Sequence, residues 1–347
     1  MLKARKLRPG DKVAAVSPSW GGPGTFPARY QIGKQQLQAE FGLEVVEARH
    51  ALADPDWLYK HPEARADDLM DAFADPTISA IITTIGGDDS IRLLRHLDLA
   101  VIRAHPKVFL GFSDTTVTHL ACFTAGLTSF YGPSIMAGFA ENGGIFSYTA
   151  DSVRQTLFSS RPPGLVPPNL TGWTVELLDW AVPDNQARHR QLRPSSGWRW
   201  LQGSGMWQGR LIGGCLEVLE WLKGTAVWPA SDAWQDAILF LETSEEAPPP
   251  SAVIRALRSY AALGIIDRLA GVLFGRPGGQ VPEEEFGAYD AALLQVIRDE
   301  QGRDDLPVVS RMDFGHTDPM MVLPYGVLAR LDCDRQQFVL LDNAVVD

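Results

Sequence analysis

The chain is 347 residues long, 45% apolar and 21% charged, which excludes wholesale disorder and allows two domains or one large one. Its 31 Lys and Arg stand against 42 Asp and Glu, a formal charge of −11, which argues against nucleic-acid binding because that needs a basic face. Three cysteines, Cys122, Cys215 and Cys333, are odd in number and widely spaced, so neither a disulfide framework nor a metal-ligand pattern is visible. The basic start (Lys3, Arg5, Lys6, Arg8) runs into Pro9-Gly10-Asp11-Lys12 rather than an apolar stretch. No signal peptide or membrane span is therefore predicted, and a cytoplasmic protein is expected.

The first 160 residues alternate between strand and helix patterns. Strands are predicted over 13–17, 43–48, 78–84 and 108–110. Helices are predicted over 27–41, stopped by Gly42, then 62–74, 88–97 and 114–125, stopped by Gly126. This rhythm implies a mostly parallel sheet with helices on both faces, binding its ligand beyond the carboxyl ends of the strands. Residues 160–170 hold four prolines in eleven positions and read as a linker. A weakly periodic stretch follows to about residue 205. Eight of the ten tryptophans fall between Trp173 and Trp234, and arginines 188, 190, 193 and 199 accompany the first of them. The second half resumes α/β character. Strands are predicted over 206–212, 237–242, 271–274 and 307–311, with helices from Gly213-Gly214 to Leu222, over 251–263 and over 286–301. The chain therefore divides into an N-terminal unit (1–165), a linker and Trp-rich loop (166–205) and a C-terminal unit (206–347).

The sharpest chemical feature is Gly111-Phe112-Ser113-Asp114-Thr115-Thr116. A buried-type strand runs through a glycine into a serine and then directly into a helix. Such a turn lifts the hydroxyl out, and it frees the next amide, that of Asp114, to donate to an oxyanion. A Ser/Asp helix cap is the competing reading, and Thr115 stands where the second glycine of a nucleophile elbow belongs. Gly86-Gly87 follows another strand, with Asp88 after it; paired glycines let a backbone come close to a ligand, though an ordinary turn explains them too. Glu242 ends an apolar strand, an odd place for an unpartnered charge. His316 lies in a Gly- and Pro-bounded loop after the 307–311 strand. Ser113, Glu242 and His316 could converge at one sheet edge as nucleophile, orienting carboxylate and base. Glu217 is a rival acid, but its neighbours place it on a helix, where exposure to solvent is the expected fate.

At these places the sequence resembles the LD-carboxypeptidase family of serine peptidases, and within it the branch containing the microcin C self-immunity peptidase. The motifs that carry the resemblance are Ile85-Gly86-Gly87-Asp88-Asp89-Ser90, Gly111-Phe112-Ser113-Asp114-Thr115-Thr116, Leu211-Ile212-Gly213-Gly214, Leu241-Glu242-Thr243-Ser244-Glu245-Glu246 and Gly315-His316-Thr317. The resemblance implies an α/β fold: an N-terminal domain like class I glutamine amidotransferases and a smaller C-terminal domain, with the site between them. It implies Ser113 as nucleophile, His316 as base, Glu242 as its orienter and the amides of Gly87 and Asp114 as the oxyanion hole. Gly86, Asp88 and Cys215 would face the substrate, Cys215 standing where the family usually has Asn. No metal or organic cofactor is implied, and a homodimer is.

The Trp-rich segment looks like the extended loop of the microcin branch. Trp180 and Trp198 are its candidates for stacking on a nucleobase; burial as core or dimer contacts is the competing reading. The expected activity is hydrolysis of an amide bond, either in a peptidyl or aminoacyl nucleotide or in a murein tetrapeptide that loses its terminal D-Ala. Neither nucleic acid nor membrane is an expected partner. An α/β-hydrolase-type esterase and a non-catalytic peptide- or nucleotide-binding protein are the alternatives.

Overall fold

The computed structural model describes all 347 residues. Fourteen strands form two sheets. The first contains β1 (Lys12–Val16), β2 (Glu44–Glu47), β3 (Ile78–Thr83), β4 (Val108–Gly111) and β5 (Phe130–Tyr131). The second contains β6 (Gly164–Val166), β7 (Arg199–Gln202), β8 (Met206–Cys215), β9 (Ala237–Glu242), β10 (Gly271–Gly275) and β11 (Val308–Met312). The chain then sends β12 (Leu323–Pro324) back to the first sheet before β13 (Leu328–Asp332) and β14 (Gln337–Leu340) complete the second.

The order in the first sheet is β12-β5-β4-β3-β1-β2, parallel except for β12. In the second it is β6-β14-β13-β8-β9-β10-β11-β7. There β8 to β11 run parallel, and the remaining strands join antiparallel at the two sides. The second sheet is thus the wider of the two. No helix is long and apolar enough to cross a membrane.

The parallel strands are continuous apolar runs because helices cover both their faces. In β4, Phe109 points into the core shared with the second sheet, while Val108 and Leu110 point into a separate core on the other face. Phe240 and Tyr325 pack ring to ring at 5.0 Å within the shared core, which joins the two sheets.

Several elements depart from the periodicity. The helix predicted over 88–97 is a 3-10 helix, Ser90–His96. Its start is held by tertiary contacts: the Ser90 amide donates to Asp114, and Arg65 grips both oxygens of Asp89. The predicted strand 206–212 continues through Cys215, because β9 pairs with it along its whole second half. Gly213 and Gly214 therefore belong to a strand rather than a turn. A Cβ at Gly213 would lie 1.7 Å from the Phe240 carbonyl oxygen, so glycine is required for that approach. The predicted helix 286–301 is α-helical only over Phe286–Leu294, and Gln295–Glu300 relaxes into a π-helix. The two-residue strands β5 and β12 were too short for any periodicity to reveal.

Candidate active site

β4 ends at Gly111, and Ser113 opens a 3-10 turn that feeds the helix Thr116–Thr124. Ser113 has φ +63°, a left-handed conformation that costs an L-residue roughly 1–2 kcal/mol. Three contacts hold it there. The Ser113 amide donates to the Tyr131 hydroxyl at 3.0 Å. The Thr116 hydroxyl donates to the Ser113 carbonyl at 2.7 Å. The Gly86 backbone lies directly over the side chain, since a Cβ there would sit 3.1 Å from Ser113 Oγ. The strain and its supports separate this serine from an ordinary helix cap, which has extended backbone angles.

β9 delivers Glu242 at its carboxyl end, fully buried. His316, from the loop after β11, bridges the two. Its Nδ1 lies 2.6 Å from Glu242 Oε2 and its Nε2 lies 3.0 Å from Ser113 Oγ. The other Glu242 oxygen accepts a short hydrogen bond from the Tyr131 hydroxyl. Tyr131 therefore ties the backbone of Ser113 to the carboxylate that orients His316. Burial disfavours a charged His316, but the carboxylates of Glu242 and Glu245 overcome it and push the imidazole up to about 10. Glu245 reaches Nε2 itself, at 2.9 Å.

Asp114 points away from the cleft. Its carboxylate is buried and accepts from the Ser19 hydroxyl at 2.5 Å and the Ser90 amide at 2.8 Å. Burial raises it against those two hydrogen bonds. It thus fastens the 86–90 segment beside Ser113. The Gly87 amide makes no hydrogen bond within the protein and borders the cleft with Ser113. An oxygen held between the amides of Gly87 and Asp114 would be stabilised as an anion.

The cleft has a volume of about 500 Å³ and is lined by Gly86, Gly87, Asp88, Ser113, Trp180 and His316, among others. Trp180 is half-buried, with the Arg29 guanidinium 4.8 Å over its ring and Phe26 edge-on at 5.7 Å. Two expected substrate residues lie elsewhere. Trp198 donates to Asp313 at 2.6 Å and packs on Phe338, so it braces the second sheet. Cys215 is buried; its amide donates to the Thr116 hydroxyl, and its thiol is pushed well up by burial and nearby carboxylates. Glu217 is not the solvent-exposed residue expected from its helix. Its carboxylate accepts from the Ser244 amide at 3.0 Å and the Ser244 hydroxyl at 2.5 Å, pinning the loop that follows Glu242. Sequence reasoning missed Tyr131 and Ser19, because neither carries a motif of its own, and it gave no role to Ser90, although Ser90 closes the Gly86-Gly87 motif.

The LD-carboxypeptidase N-terminal domain family matches residues 13–132, and the LD-carboxypeptidase C-terminal domain family matches residues 208–331. The chain belongs to the LD-carboxypeptidase family. A putative carboxypeptidase of Vibrio cholerae is 29% identical, with 99% of each chain covered. The microcin C7 self-immunity protein of Escherichia coli is 28% identical over 99% of this chain and 96% of its own. Among solved structures, a protein from Streptococcus pneumoniae like that immunity protein, in complex with AMP, superposes with a TM-score of 0.86. It is 32% identical, and the match covers 95% of this chain and 98% of that one. Membership of this family sets aside the α/β-hydrolase alternative.

Proposed function

We propose that Ser113, His316 and Glu242 form a catalytic triad that hydrolyses an amide bond by acyl transfer. His316 Nε2 takes the proton of Ser113 Oγ as Oγ attacks the carbonyl carbon. The carbonyl oxygen becomes an oxyanion between the amides of Gly87 and Asp114. The imidazolium, steadied by Glu242 on Nδ1, returns the proton to the leaving nitrogen. Water then repeats the sequence on the acyl-serine, freeing the acid and restoring Ser113. The observation that carries this reading is the continuous chain from Ser113 Oγ (3.0 Å) through His316 to Glu242 (2.6 Å), built on a serine strained into the left-handed region.

Between substrates, we favour an aminoacyl or peptidyl nucleotide over a murein tetrapeptide. Trp180, set in the cleft and fixed by Phe26 and Arg29, offers a face for a base. The AMP complex of the Streptococcus pneumoniae protein supports the same choice. Incubation with aspartyl-sulfamoyl adenosine and, separately, with murein tetrapeptide, followed by mass spectrometry, tests it. Release of aspartate from the first with little D-Ala from the second is expected; the reverse would assign the murein substrate. Ser113→Ala should lose on the order of 10⁴–10⁶ in kcat with an unchanged circular dichroism spectrum. Retained turnover in that variant would remove Ser113 from the mechanism.

A further inference from the structure

His316 Nε2 has two partners. Ser113 Oγ is the one that acyl transfer needs; the carboxylate of Glu245 is the other. A proton held between Nε2 and a carboxylate is unavailable for exchange with Oγ, and Nε2 in that state cannot act as a base. Unlike Glu242, Glu245 is not locked in place: its side chain is 73% exposed in the open cleft. Only its backbone is fixed, by Glu217 on Ser244 and by the packing of Gly279 against the Glu245 carbonyl. The loop is therefore a rigid mount carrying a movable carboxylate.

Apart from His316 itself, the charged side chains that line the cleft share one sign. Asp88, Glu245, Glu246 and Asp318 line the cleft, and no Lys or Arg does. Asp318 is matched by Arg190 at 2.6 Å, whereas Asp88 and Glu246 enter no ion pair. A substrate acyl residue attached to Ser113 must pass within two hydrogen bonds of the Glu245 carboxylate. A side-chain carboxylate on that residue would meet repulsion from Glu245 and Glu246, and no Lys or Arg lines the cleft to receive it, so an aspartyl compound engages Glu245 through its α-ammonium. An ammonium group would pair with Glu245 and draw it off His316.

We infer that Glu245 is a specificity-determining residue, a carboxylate clasp on the base that is released by a positively charged group on the acyl part of the substrate. The inference rests on the proposed roles of Ser113 and His316. The cation can be a free α-ammonium, as in an aminoacyl compound, or a basic side chain. His316 is faced by Glu242 on Nδ1, by Glu245 and Ser113 on Nε2 and by the Phe112 ring at 5.0 Å. Removing Glu245 therefore leaves Glu242 as its sole carboxylate partner.

Four p-nitrophenyl esters with one leaving group test this: L-norleucine, N-acetyl-L-norleucine, N-acetyl-L-lysine and N-acetyl-L-glutamate. Wild-type kcat/KM should favour a cationic ester over N-acetyl-norleucine by about tenfold or more, the equivalent of one partly screened ion pair, with the glutamate ester slowest. The norleucine arm reports an α-ammonium and the N-acetyl-lysine arm a side-chain cation. Glu245→Gln should flatten the series and move the acid limb of kcat/KM for the neutral ester to lower pH. Glu245→Lys should favour the glutamate ester. Equal rates across charges in the wild type, or a preference unchanged in Glu245→Gln, would overturn the inference while leaving the triad standing. Absence of turnover on every ester, together with no fluorophosphonate label on Ser113, would overturn the triad reading itself.

Discussion

Two carboxylates lie close to one histidine, and a third was a plausible rival, yet each has a different task. Glu242 is buried on Nδ1 and shares its second oxygen with Tyr131. Glu217 holds Ser244 and does not reach His316. Glu242→Gln should therefore depress kcat by roughly 10⁴, the loss seen when a triad acid no longer fixes the histidine tautomer. Glu217→Gln keeps an oxygen to accept from Ser244 and should cost less than about tenfold, an effect equivalent to a weakened hydrogen bond. Steady-state kinetics on both variants separates the two. The histidine also couples folding to pH. Its folded value near 10 lies above the unfolded value of about 6.5, so its contribution to stability is full below about pH 6.5 and disappears as pH rises through 10. Urea melts between pH 6 and pH 10 should show this loss in the wild type and lack it in His316→Gln. Ser113, Glu242 and His316 were readable because each sits where a strand gives way to a turn. Tyr131 was not, because a tyrosine in a two-residue strand has no local signature.

At the scale of elements, the site depends on how closely β8 and β9 approach the helix Thr116–Thr124. The Thr116 hydroxyl donates to the Ser113 carbonyl and accepts from the Cys215 amide, so one side chain joins the Ser113 turn to the end of β8. Gly213 permits this by letting β8 lie against the Phe240 carbonyl. Gly213→Ala should destabilise the fold by about 3 kcal/mol, at the upper end of overpacking costs. Gly287, inside the helix Phe286–Leu294 with nothing near its missing Cβ, is the control. Gly287→Ala should be neutral or stabilise by up to about 1 kcal/mol through helix propensity. Chemical denaturation of the pair measures both. The sequence pattern suggested a turn at Gly213-Gly214 because glycine usually interrupts a strand. The demand for close packing comes from β9, about 25 residues further on, and is invisible in a local window.

At the scale of the whole molecule, the Trp-rich segment is not a free flap. Arg190 reaches across to Glu141 and to Asp318, joining the segment to both halves of the chain. Glu141 is fully buried, and its neighbour Asp318 borders the cleft. Arg190→Ala would leave Glu141 buried without its cation, and should cost about 3–5 kcal/mol, seen as a lower denaturation midpoint at neutral pH. Trp173, buried between the guanidinium groups of Arg193 and Arg276, and Trp198, bonded to Asp313, anchor the same segment. Trp180 alone of the two tryptophan candidates lines the cleft.

Periodicity and the five glycine- and acid-bearing motifs determined the α/β class, the family and the three residues that meet at the cleft. Strand order followed only partly. No feature of residues 323–324 predicts that β12 returns to the first sheet, since its partner β5 is nearly two hundred residues away. Tertiary structure alone decided which aromatic lines the cleft, that Glu217 holds a loop and that Glu245 reaches His316. Glu217 and Glu245 carry no mark of their partners along the chain; folding sets Glu217 on Ser244, Glu242 on Nδ1 of His316 and Glu245 on its Nε2. Local sequence specifies backbone preference and face, while charge, strain and hydrogen-bond partners are supplied by segments that become neighbours only on folding.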